Sequence, residues 1–86
     1  HTGAYSNAKG AEAAKLLNEL VEAGELVVSL GLRLHAGHGL NYHNVHPIAK
    51  MTGMHELNIG HAIVCRALFV GLRQAVREMK DLLKQG

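Results

Sequence analysis

Eighty-six residues suffice for one small domain, and an apolar fraction of 48% with mean hydropathy near zero places the chain among globular proteins rather than disordered ones. Nine basic against seven acidic residues give a net charge of +2, and the cations are scattered, so the basic stripe of a nucleic-acid binder is absent. No apolar run approaches the roughly 20 residues a membrane-crossing helix needs, the opening His1-Thr2-Gly3-Ala4-Tyr5-Ser6 lacks the order of an export signal, and the single Cys65 excludes an internal disulfide; a cytoplasmic protein is expected.

From Ala11 to about Leu30, Ala13, Leu16, Leu17, Leu20, Val21, Val27 and Leu30 recur at helical spacing with Glu12, Lys15, Glu19 and Glu22 between them, an amphipathic helix interrupted only by Gly24. Gly31 stands where a left-handed C-cap is expected, and Leu32-Arg33-Leu34-His35-Ala36 then alternates with the period of a strand. The strand runs into Gly37-His38-Gly39-Leu40, whose glycines permit a sharp turn. A short helix is expected to start near Asn44, with Asn44 as N-cap and Pro47 in its first turn.

After the loop Met51-Thr52-Gly53, Glu56-Leu57-Asn58-Ile59 reads as a second strand ending at Gly60-His61, and the remainder reads as helix to the chain end with a break at Gly71. There Val64, Leu68, Leu72, Ala75, Val76, Met79, Leu82 and Leu83 are expected to form one apolar stripe. Strand parity puts Leu32, Leu34, Leu57 and Ile59 toward covering helices and Arg33, His35, Glu56 and Asn58 on the other face, with Arg33 and Glu56 expected in solvent. The order helix, strand, helix, strand, helix, with long crossovers, is that of parallel βαβ units. Two strands close no barrel, and His1-Thr2-Gly3 opens as though a strand had just ended, so preceding sequence is expected to supply the rest of the sheet.

In α/β folds ligands gather at the carboxyl ends of the strands, where both glycine–histidine clusters fall. Gly60-His61 immediately precedes a helix whose free amides can hold an anion; a phosphate cradle and an ordinary strand-to-helix turn both fit that short pattern. His38, between two glycines at a strand end, is the candidate for proton transfer, a histidine bonding its own loop being the alternative. His35, His38, His43 and His46 lack the spacing of a metal site, so no metal is expected, and His1 and His55 read as loop or surface residues. Cys65, among Val64, Ala67 and Leu68, reads as an inert packed thiol, and the methionines as core or loop filling.

Ala36-Gly37-His38-Gly39-Leu40-Asn41-Tyr42-His43-Asn44-Val45 and Glu56-Leu57-Asn58-Ile59-Gly60-His61-Ala62-Ile63 closely resemble the last two strand-loop segments of the pyridoxine 5′-phosphate synthase family. His1-Thr2-Gly3 resembles that family's sixth strand end, and Arg66–Leu72 with Ala75–Met79 its final helices, so the likeness spans the chain. The resemblance implies that residues 1–86 are the C-terminal segment of a single TIM (β/α)8 barrel domain, carrying its last two strands with their helices. It implies a cytoplasmic homo-octamer in vitamin B6 synthesis, which condenses 3-amino-2-oxopropyl phosphate with 1-deoxy-D-xylulose 5-phosphate, releasing phosphate and water, without metal or organic cofactor. By the same resemblance His38 is the general acid, Gly39 a substrate contact, and Gly60 with His61 the pair that holds the aminoketone phosphate. The family's other bases and arginines have no counterparts here. His35, where the family usually has asparagine, and Met51-Thr52-Gly53-Met54, in place of a proline-containing loop, depart from the pattern. The alternative is a non-catalytic phosphate-binding or self-associating fragment of that fold.

Overall fold

The computed structural model describes residues 1–84, in the order α1 (Gly3–Asn7), α2 (Gly10–Ser29), β1 (Leu34–Gly37), α3 (Val45–Ala49), β2 (Met54–Asn58), α4 (His61–Val70) and α5 (Leu72–Lys84). The expected helix reaches Lys84; its continuation over residues 85–86 lies outside the described residues. The helix-strand-helix-strand-helix order expected from Ala11 onward is present, preceded by α1, a short helix that no apolar period announces.

Helix α2 ends in a complete Schellman motif. The Leu32 amide donates to the Val27 carbonyl at 3.2 Å and the Gly31 amide to the Val28 carbonyl at 3.0 Å, with Gly31 at a φ of 78°. Leu32 is thereby drawn into the cap. It is 61% exposed and does not face the covering helices as parity suggested, because β1 begins only at Leu34. The helix also runs unbroken through Gly24, contrary to the expected interruption. Gly24 lies against the next layer instead, where a Cβ would stand 2.7 Å from the Met51 methyl and 3.1 Å from Leu34 Cδ2.

Strands β1 and β2 pair in parallel, as expected, but with an irregular register: Leu34 faces Met54, and His35 faces Glu56. One residue of β2, His55, is left over, which is a β-bulge. Its consequence is visible in the burial, since Met54 and Leu57, three positions apart, both turn inward while His55 and Glu56 are both exposed. His35 and His55 stack with ring centroids 5.5 Å apart, and His35 Nδ1 lies 3.7 Å from Glu56 Oε2. Arg33 and Glu56 are in solvent, as anticipated.

The core gathers Tyr5, Leu40, Val45, Ile48 and Met79 between the sheet and helices α2, α3 and α5. Val45 and Ile48 are fully enclosed, three apart on α3, the spacing that puts two side chains on one helix face. The single apolar stripe expected across the last two helices is divided. Ala75 and Met79 turn inward with Leu82 partly covered, whereas Val64, Leu68 and Leu72 are exposed, Leu68 at 82%. The cause is Gly71, whose φ of 86° ends α4 and restarts the helix in a new direction. Arg66 then ties the two helices through a paired contact to Glu78, at 3.0 and 3.3 Å.

Candidate functional site

The turn after β1 is held by side chains rather than by regular backbone pairing. Asn41 Oδ1 accepts the amides of His43 and Asn44 at 2.8 and 3.0 Å, and Asn44 Oδ1 accepts the Asn41 amide at 2.7 Å. The two side chains thus cap one another's amides as in a capping box, and Asn44, which stands at the N-cap of α3 as expected, makes no side-chain cap bond to that helix. Asn44 Nδ2 also donates to the Gly39 carbonyl at 3.2 Å. Two phenols brace the same turn: Tyr5 donates to the Asn44 carbonyl and Tyr42 to the Ala75 carbonyl, each at 2.8 Å. Burial pushes both phenols up in pKa, and for Tyr42 the Glu78 carboxylate adds to the rise.

Within this frame His38 takes a φ of 92°, a region that side-chain-bearing residues rarely occupy. Its carbonyl accepts the Thr2 hydroxyl at 2.7 Å and, more loosely, the Ser6 hydroxyl at 3.4 Å, while the Thr2 amide donates to the Gly37 carbonyl at 2.9 Å. Gly39 follows with a φ of 78°, and a Cβ there would stand 2.7 Å from Ser6 Cβ, so only glycine fits. The His1 ring lies on that of His38, centroids 4.5 Å apart and planes 25° from parallel. His1 is exposed and outside any helix or strand, as expected, but its ring is stacked on that of His38.

The turn after β2 leads directly into α4. Gly60 occupies the N-cap, no side chain caps the helix, and no acidic residue lies in its first turn. The first amides of an α-helix have no partner within it, so those of His61 to Ile63 are free to meet an anion. A Cβ built on Gly60 meets nothing within 4 Å, which leaves the approach to these amides open. His61 Nε2 lies 3.4 Å from Cys65 Sγ, one helical turn on. Cys65 is exposed, so it is neither packed nor without a neighbouring base; the Val64–Leu68 face on which packing was expected is itself open to solvent.

Because β1 and β2 run in parallel as neighbours, the two turns emerge at the same end of the sheet. His38, Gly39, Leu40, Asn58, Ile59, Gly60 and His61 line one cleft of about 450 Å³, within the range of small-molecule sites. All four residues singled out in the sequence, His38, Gly39, Gly60 and His61, therefore come together. Of the other histidines only His1, stacked on His38, joins them. His35 and His55 stack on one another in solvent, His43 is exposed, His46 keeps a buried Nδ1 without a partner, and among the described residues no three His, Cys, Asp or Glu side chains converge. Thr2 and His1, which touch His38, carried no local signal, because the contact spans 36 residues of sequence. The His61–Cys65 spacing of four was legible as one helix face.

The sequence model of the pyridoxal phosphate biosynthesis protein PdxJ family matches residues 1–85. The chain belongs to this family. Proteins named pyridoxine 5′-phosphate synthase are similar to it along nearly its whole length: that of Rhodopirellula baltica is 54% identical over 83 residues, covering 96% of this chain and 34% of the relative. The Synechococcus sp. CC9311 protein is 58% identical over 84 residues, 98% of this chain and 34% of the relative, and the Dechloromonas aromatica protein is 52% identical over 93 aligned positions, 99% and 37%. The chain thus spans about a third of the length of the curated relatives it matches. No helix among the described residues is long and apolar enough to cross a membrane.

Proposed function

We propose that this chain forms the last two strand-and-helix units of a (β/α)8 barrel, one segment of a single domain. The complete enzyme is a pyridoxine 5′-phosphate synthase, a transferase that condenses 3-amino-2-oxopropyl phosphate with 1-deoxy-D-xylulose 5-phosphate and releases phosphate and water. The observation that carries this reading is the shared cleft, in which an imidazole and the uncapped start of α4 face one another across neighbouring strands. Family membership supports it independently, through relatives named for that product.

The division of labour follows from the chemistry of the parts. The amides of His61 to Ile63 and the positive end of the α4 dipole hold the aminoketone's phosphate, with the His61 side chain beside it and Gly60 giving access. Gly39 lets the backbone approach the substrate. Imine formation and elimination each need a proton delivered to a departing oxygen, and the ring-closing aldol step needs one delivered to the carbonyl oxygen that becomes a hydroxyl; His38, whose imidazole lines the cleft, is the proton donor. The reaction calls for no metal or organic cofactor, and the enzyme works as a homo-octamer in the cytoplasm.

The test is product formation by a full-length chain carrying this segment. His38→Ala is expected to lower kcat by roughly 10² or more, the usual range for an acid–base group. A full-length chain that forms no pyridoxine phosphate contradicts the enzyme reading, and an unchanged kcat in the variant removes His38 from the mechanism.

A further inference from the structure

The backbone of His38 is held where a side-chain-bearing residue does not settle by itself, and one residue from the far end of the sequence holds it there. Thr2 is 1% exposed, its hydroxyl meets the His38 carbonyl at 2.7 Å, and its amide meets the Gly37 carbonyl at 2.9 Å, so both peptide units flanking the His38 Cα are pinned. A conformation this sparsely populated persists only where its surroundings over-determine it. The ring is held as well. His1 covers one face at 4.5 Å, and its own orientation is set by the Gly3 amide, which donates to His1 Nδ1 at 3.1 Å. That bond requires an unprotonated Nδ1 and so places the His1 proton on Nε2. Gly3 is the residue that lets the rings meet, because a Cβ on it would stand 2.6 Å from His1 Cε1 and 3.0 Å from His38 Cδ2.

We propose that Thr2 and His1 are positioning residues for the proposed reaction: Thr2 clamps the left-handed backbone of His38, and His1 stacks on its ring, so that the imidazole is presented to the cleft in one pose. This rests on the reading of His38 as the proton donor. A ring free to turn would spend much of its time away from the departing oxygen, and small misplacements of a reacting group carry large rate penalties.

The experiment compares Thr2→Val, Thr2→Ser, His1→Ala and His38→Ala in the full-length enzyme, by steady-state kinetics with both phosphate esters and by the NMR signals of the His38 ring. Thr2→Val keeps the shape and removes the hydroxyl; it is expected to lower kcat about tenfold, the worth of one hydrogen bond on the barrier, with each KM within about twofold. Thr2→Ser restores kcat to within about twofold of the parent. His1→Ala, at an exposed side chain, lowers kcat severalfold and shifts the His38 ring signals even if Thr2→Val does not fold. A merely structural role would lower the melting temperature and leave kcat and the ring signals of the folded variants unchanged, which overturns the proposal, as does a Thr2→Ser enzyme no better than Thr2→Val. If His38→Ala itself keeps its kcat, the proton-donor reading has failed; if only His38→Ala is slow, the positioning role alone has failed.

Discussion

Replacing Gly60 by leucine isolates the anion-holding half of the site. A Cβ at this position meets nothing within 4 Å and the backbone φ is −129°, so the fold accommodates a side chain without clash or left-handed strain. The leucine then stands over the start of α4, across the approach to the amides of His61 to Ile63. A hydrogen bond to a charged group contributes about 1.5–3 kcal/mol; losing two at the lower figure costs about 3 kcal/mol, or roughly 10²-fold in affinity. Leucine is also a poor N-cap, which lowers stability by about 1 kcal/mol and is read separately as a melting shift. The assay is calorimetric titration of full-length Gly60→Leu with 3-amino-2-oxopropyl phosphate, with Gly60→Ala as the smaller step. Unaltered affinity in a folded Gly60→Leu protein would refute the cradle.

Gly24→Ala is expected to raise stability by up to about 1 kcal/mol, the helix-propensity gain over glycine. The Met51 methyl, 2.7 Å from the added Cβ, is the free end of a flexible side chain, and both it and Leu34 line an adjoining cavity of about 140 Å³ into which they can shift. A denaturation midpoint that falls instead shows that the contact does not yield. For the α4–α5 tie, hydrogen bonds from Arg66 first and then Gln74 hold the Glu78 carboxyl below its ordinary value of 4.5. Its contribution is therefore complete above that value and lost as the pH falls through the depressed one. Glu78→Gln should melt below the parent at neutral pH, with the gap closing in acid; a gap that widens on acidification contradicts the assignment.

The parts of the fold set by local periodicity and by glycine were legible in the residues. Helix α2, the Gly31 cap, the break at Gly71 and the two parallel strands each follow from patterns within a few positions. What escaped depends on contacts between distant segments. Nothing near His55 announces the bulge, which arises because Met54 and Leu57 must both reach the core. Asn44 was legible as the N-cap of α3, but not the reciprocal bonds it shares with Asn41, because a local pattern does not say which of two asparagines accepts which amide. Gly24 read as a helix break because its packing partners, Leu34 and Met51, lie on other elements. At the site, His38, Gly39, Gly60 and His61 were found through the glycine-histidine turns, and their convergence follows from parallel pairing. Thr2 and His1 were not, because only the fold brings them to His38.

The central claim is that one phosphorylated substrate spans both turns. A crystal structure of the full-length enzyme soaked with 3-amino-2-oxopropyl phosphate tests it most directly. The phosphate is expected within hydrogen-bonding distance of the His61 to Ile63 amides, with the carbon chain reaching toward the His38 ring. A fully occupied ester bound elsewhere, with the start of α4 and His38 both untouched, would contradict it.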